Sequence, residues 1–145
     1  LLSLTAIGVA LVSQHVFQIR PCPWCVLQRL IFIAVGAAAA LGLLWRQALS
    51  QRAFAALALL LAVAGMAAAV WHNRVAAATA SCDRTLADRI IAGTGLDTLW
   101  PDLFMATASC ADAHVSLLGV PYEVYSLGLF ALQAVLLLRA LRLAA

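Results

Sequence analysis

The residues best suited to chemistry in this chain are four cysteines: Cys22 and Cys25, spaced as Cys-Pro-Trp-Cys, and Cys82 and Cys110 much further along. Cysteines spaced in this way interconvert between dithiol and disulfide, and the thiolate is the attacking form. The first pair opens directly onto an apolar stretch that reads as a helix. Proline fits the first turn of a helix, where its missing N–H would have had no partner. Cys25 then falls in that same turn, where the helix dipole favours an anion. Arg29 follows four residues later, one turn deeper on the same face, which sets a permanent cation beneath a thiolate. An arginine that snorkels toward lipid headgroups is the plainer reading of Arg29. Its register with Cys25 favours the chemical one.

Other uses of these residues fit less well. Four cysteines match the ligand count of structural zinc, but a pair separated by Pro-Trp at the mouth of an apolar helix is an unusual half-site. A c-type haem needs histidine where Val26 stands. Cys82 and Cys110 could simply staple an exposed loop, which leaves the motif beside Arg29 unexplained. Polar groups at membrane depth are candidate functional groups. His72, next to Trp71, is therefore a candidate hydrogen-bond donor to a ligand carbonyl, and Gln14 and His15 are candidates for the same pocket. Interfacial or interhelical pairing is the structural alternative for all three. A haem between His15 and His72 would leave the cysteines without a role.

Membrane helices must position these groups. Of 145 residues, 66% are hydrophobic and 10% charged, against about a quarter charged in a soluble domain. The mean hydropathy is +1.02, and such a composition cannot cover a water-facing surface. The net charge of +3 comes from arginine alone, and the arginines are scattered, so the chain carries no nucleic-acid footprint. Residues 1–19, 26–45, 53–71 and 122–141 are apolar, each stretch close to the ~20 residues that cross a bilayer core of about 30 Å. The first exceeds the about 7–15 apolar residues of a signal peptide and has no small-residue cleavage site after it, so it reads as a span. The chain opens at Leu1 rather than methionine, and further residues are expected before it.

The expected architecture is an all-α membrane protein: one four-span domain, a four-helix transmembrane bundle whose connections 20–25 and 72–120 emerge on the same face. Both cysteine pairs then share a compartment. Arginines divide almost evenly between the two faces, so charge does not set the orientation. Persistent disulfides belong outside the cytosol, which places the cysteine loops in the periplasm or an equivalent space. The long loop holds five of the six acidic residues. Within it, Leu96, Leu99, Trp100, Leu103 and Phe104 recur at helical spacing with Pro101 interrupting, which predicts a short, bent amphipathic helix. It either lies in the headgroup plane or packs on the helix ends, and Gly93 and Gly95 are expected to let the loop move.

These residues, in this order, resemble the DsbB family of bacterial quinone-dependent thiol oxidases. The resemblance is carried by Gln14-His15-Val16, Pro21-Cys22-x-x-Cys25, Arg29, Cys82-Asp83, Trp100-Pro101, Cys110-Ala111 and Leu118-Gly119, across nearly the whole chain. It implies a relay. A DsbA-like periplasmic thioredoxin-fold protein gives its electrons to a Cys82–Cys110 disulfide, with Cys82 forming the mixed disulfide. Cys110 then attacks Cys22 of a Cys22–Cys25 disulfide. Cys25 leaves as the thiolate and passes the electrons to ubiquinone, with menaquinone as the alternative acceptor from the membrane pool. Arg29 stabilises the charge, and His72 takes the place of the family's quinone-side histidine.

Two positions depart from the family pattern. Gln28 stands where a glutamate is common, and Trp24 is bulky within the motif. Neither removes a reacting atom, and a DsbI-like branch with a dedicated partner fits the same residues. A vitamin K epoxide reductase-like protein would place the loop pair before the Cys-x-x-Cys, the reverse of the order here. A non-enzymatic tetraspan scaffold with structural disulfides is the alternative from outside enzymology.

Overall fold

A computed structural model of the chain describes residues 1–74, 86–108 and 116–144. Cys82, Cys110 and His114 lie outside these described residues. Four apolar helices form the bundle: α1 (Leu2–His15), α2 (Pro23–Leu44), α3 (Ala48–Arg74) and α7 (Tyr122–Leu143). The last three are long and apolar enough to cross a membrane, and α1 is a shorter apolar helix. The protein is thus an all-α membrane bundle.

Small side chains mark many of the helix contacts inside this bundle, and larger aliphatic ones face outward. Leu4, Val9, Val12, Leu57, Leu60 and Leu132 are exposed, whereas Ala6, Ala10, Ala58, Ala62 and Ala69 are buried. In lipid, apolar burial does not drive helices together, so small residues that permit close backbone approach mark the contacts. Gly65 of α3 is the tightest instance: a Cβ there would stand 2.5 Å from the Phe130 ring of α7. Phe130 in turn stacks on Phe32 of α2, with centroids 3.9 Å apart and 7° between planes. Helix α3 packs against both α2 and α7, while α1 rests on α2 and touches α7 only lightly. That asymmetry leaves room between α1 and α7.

Helix boundaries differ from the apolar stretches for local reasons. The stretch over 1–19 is helical only across Leu2–His15, because Gln18 takes a left-handed φ of 55° before the Arg20-Pro21 connection. Helix α2 starts at Pro23, ahead of the apolar run from 26, because Cys22 caps it: the Cys22 sulfur accepts the Cys25 backbone N–H. Helix α3 is 27 residues long, about 40 Å, and carries His72 in its last turn. A connection of only Trp45–Gln47 makes α2 and α3 antiparallel neighbours.

The loop segment predicted over 96–104 forms two short turns, α5 (Leu96–Leu99) and α6 (Pro101–Phe104), with the bend at Trp100 as Pro101 requires. Phe104 is buried, and Leu96 and Leu103 pack with it against the mouth of α2, while Leu99 and Trp100 remain exposed. One side of the segment therefore packs on the helix ends and the other faces outward. A further helix, α4 (Leu86–Thr94), precedes it and buries Ala87 and Ile91 in the same cluster. Gly95, at φ 69°, separates α4 from α5 in a conformation that a side chain would strain. A two-residue antiparallel ribbon, β1 (Ser116–Leu117) and β2 (Val120–Pro121), turns the chain into α7 through Leu118 and Gly119.

Candidate functional site

The Cys-Pro-Trp-Cys motif occupies the first turn of α2, with Cys22 as the cap and Pro23 as the first helical residue. Its sulfurs are 2.9 Å apart, and Cys22 is fully buried whereas Cys25 is partly open. Closing a disulfide, at about 2.05 Å, takes a movement of under about 1 Å. Trp24, between them, is buried and lies tilted against Trp71, with ring centroids 6.5 Å apart and 41° between planes.

Arg29 lies one turn below and is 7% exposed. Its Nη1 donates to Gln14 Oε1 at 2.8 Å and to the Leu103 carbonyl at 3.3 Å. Gln14 Nε2 donates to the Asp102 carbonyl at 3.2 Å. Arg29 and Gln14 thus clasp α6 of the loop to the bundle. Cys25 and Tyr122 line the same cavity as this guanidinium.

His72 arrives from the end of α3 and is 1% exposed. Its Nε2 is 3.3 Å from Cys22 Sγ and 3.4 Å from Glu123 Oε1, and its Nδ1 is 3.2 Å from Gln28 Nε2. A cavity of about 510 Å³ opens below, between α1, α2 and α7. Cys25, Arg29, Gln28, His72 and Glu123 line its polar end, and Phe32, Ala6, Ile7, Leu129 and Leu132 its apolar remainder. The chamber therefore offers cationic and hydrogen-bonding groups beside a redox sulfur, continuous with an apolar slot at membrane depth.

Of the residues singled out from sequence, Cys22, Cys25, Arg29, His72 and Gln14 converge on this end of the bundle. His15 does not: it is exposed, does not line the cavity, and its carbonyl accepts from the Gln18 side chain. The geometry consequently gives no shared chamber to His15 and His72, as a haem would need. Cys22, Cys25 and His72 offer three donor atoms within 4.8 Å. Two thiolates on one tetrahedral zinc stand about 3.7 Å apart, wider than the 2.9 Å here, so the pair is spaced for disulfide exchange.

Two lining residues escaped the sequence reading as contributors to the site. Gln28 registered only as a missing glutamate, yet it holds His72. Glu123 was unassigned, although a carboxylate in the first turn of an apolar helix is itself a signal. Tyr122, beside it, faces the same cavity and, with Ser13, lines a smaller one.

Comparison with known proteins bears on the whole chain. Residues 1–140 match the family described as Disulfide bond formation protein DsbB. Disulfide bond formation protein B 1 of Pseudomonas putida is 37% identical over 139 residues, covering 94% of this chain and 82% of that protein. Disulfide bond formation protein B of Herminiimonas arsenicoxydans is 34% identical, covering 95% and 87% respectively, and that of Dechloromonas aromatica is 30% identical, covering 90% and 79%. A membrane bundle that presents a cysteine pair at one helix mouth, and matches over this length, belongs to the DsbB family of disulfide bond formation proteins.

Proposed function

We propose that this membrane disulfide oxidoreductase withdraws electrons from a DsbA-like periplasmic dithiol protein and delivers them to a membrane quinone, ubiquinone or menaquinone. The cysteine loops then face the periplasm and the bundle lies in the inner membrane. The observation that carries this reading is that Cys25 and Arg29 share the wall of a 510 Å³ apolar chamber. That volume falls within the range of about 300–1,000 Å³ usual for small-molecule sites. The chamber also fits a quinone chemically. Arg29 and His72 supply donors for carbonyl oxygens, and Phe32, Leu129 and Leu132 supply an apolar wall for a ring and isoprenoid tail. A bound quinone supplies an acceptor for two electrons and two protons.

The chain's own residues account for the thiol steps. A partner thiolate attacks Cys82 of the loop disulfide, and the second partner thiol resolves the mixed disulfide, leaving Cys82 and Cys110 reduced. The Cys110 thiolate then attacks Cys22, and the Cys22–Cys25 bond breaks with Cys25 departing as the thiolate. The better-stabilised anion leaves faster, and Cys25 has the helix N-terminus and Arg29 beside it. Return of the Cys82 thiolate onto Cys110 frees Cys22, so one disulfide has moved from the motif to the loop.

Backbone hydrogen bonds favour the attack on Cys22. The N–H groups of Thr107 and Ala108 donate to the Pro21 carbonyl at 3.0 and 3.3 Å, adjacent to Cys22. Cys110 follows Ala108 by two residues in the sequence.

Replacing Cys110 tests the order of the relay. Cys110→Ser should accumulate a mixed disulfide between Cys82 and a periplasmic thioredoxin-fold protein, visible as a reducible higher-mass band. If the trapped adduct instead runs through Cys22 or Cys25, or none forms, the relay is wrong.

A further inference from the structure

Glu123 is a carboxylic acid in the first turn of a membrane helix, 3% exposed, and the thiol steps above make no use of it. An ionisable group at such depth is costly unless partnered, and is a functional candidate for that reason. Its Oε1 is 3.4 Å from His72 Nε2, and the same nitrogen is 3.3 Å from Cys22 Sγ. One imidazole nitrogen thus stands between a redox sulfur and a carboxylate. Glu123 also lines a second cavity of about 30 Å³ with Cys25, Ser13, Gln14 and the exposed Arg20. This is more than the about 15 Å³ that one water molecule needs, and it leads toward the cysteine face of the membrane.

We propose that Glu123 holds His72 as the proton acceptor for the Cys22 thiol, making the two residues the proton-handling pair of the Cys22–Cys25 couple. This rests on the thiol–quinone reading above. Oxidation of the dithiol forms one S–S bond and releases two electrons and two protons, and conversion of a quinone to a quinol consumes both. Cys25 borders the smaller cavity and loses its proton to solvent. Cys22 is 0% exposed, so its proton must leave through a neighbour. His72 Nε2 receives it, and the Glu123 carboxylate neutralises the resulting imidazolium. His72 then returns that proton to the acceptor, and solvent provides the other.

The surrounding groups explain why a carboxylate is required. The other titratable side chains facing the chamber are Cys25 and Arg29 from α2 and Tyr122 and Tyr125 from α7; among its described lining residues, α1 adds none. Arg29 disfavours a second cation nearby, and the Glu123 carboxylate beside His72 opposes that effect. Gln28 can turn either its carbonyl or its amino group to Nδ1, and so partners the ring in both charge states. A glutamate at 28 would have set a second carboxylate against the same imidazole. Here the acidic group comes from α7 instead, and Glu123 is a positioning residue that acts through His72.

The test uses full-length protein with Cys22 as the only cysteine (C25S, C82S, C110S), free of quinone. The ultraviolet absorbance of its thiolate is followed against pH. Adding Glu123→Gln should move the profile to the alkaline side and lower the thiolate fraction at neutral pH about tenfold. Glu123→Asp, which keeps the charge, should restore most of it. With His72→Asn already present, Glu123→Gln should change nothing further. A profile unmoved by Glu123→Gln, no recovery with Glu123→Asp, or an equal shift without His72 would each overturn the proposal. Because no quinone is present, failure of the unmodified protein to reduce quinone would overturn the preceding reading and leave this result standing.

Discussion

Away from the cysteine end, Val35, Ala38, Ala58 and Ala62 meet in a cluster between α2 and α3, with exposures of 4% or less. At the cysteine end the same pair of helices, joined by α7, buries Gln28, Arg29, His72 and Glu123. The first region uses small side chains to bring backbones together, which is how helices associate in lipid. The second gives up that close contact to surround a sulfur pair with groups that hold charge and protons. Its polar groups reach one another across five elements, α1, α2, α3, α6 and α7: Arg29 with Gln14 and Leu103, His72 with Gln28, Cys22 and Glu123. Phe32 lines the chamber and stacks on Phe130. One half of the bundle sets stability, and the other sets chemistry.

Substitutions in the two halves should separate these roles. Arg29→His removes a permanent cation from the chamber, and steady-state assays should show quinone reduction falling about 100-fold, the scale of losing one preorganised electrostatic donor. The four cysteines should remain exchangeable with small thiols. Undiminished quinone kinetics in this variant would mean that the polar cluster is merely structural. Ala62→Val, in the alanine cluster, should do the opposite. Two added methyl groups in a closed helix contact cost about 1–3 kcal/mol, measured as a lower unfolding midpoint in detergent. Turnover per folded molecule should stay within about twofold of the parent. A large loss of turnover without loss of stability would break the division between the halves.

Much of this arrangement is written locally in the chain. Pro23 at the start of α2 and Arg29 one turn below Cys25 follow from spacing alone. So does the bend at Trp100 and Pro101. What spacing could not supply is rotation about the helix axes. Helix α1 is apolar all round, so hydrophobic periodicity does not choose between Gln14 and His15. The small residues do: Ser3, Ala6 and Ala10 are its buried face, and Gln14 continues that stripe while His15 leaves it. The meeting of Gln28, His72 and Glu123 depends on three helices far apart in sequence and on close packing at positions such as Gly65. No local pattern announces it. Helix α4 was missed because its apolar residues, Leu86, Ala87, Ile90 and Ile91, form too short a series beside the longer one that follows.

The most direct test asks whether the Cys22–Cys25 pair alone can reduce quinone. Protein with Cys82 and Cys110 both replaced by serine is reduced, freed of reductant and mixed anaerobically with a short-chain ubiquinone. Loss of quinone absorbance is followed alongside the thiol count. One quinone should be consumed for each pair of thiols lost, and none once Cys25→Ser is added. Intact thiols and unchanged quinone, in protein that still folds, would contradict the assignment of this chamber to electron transfer.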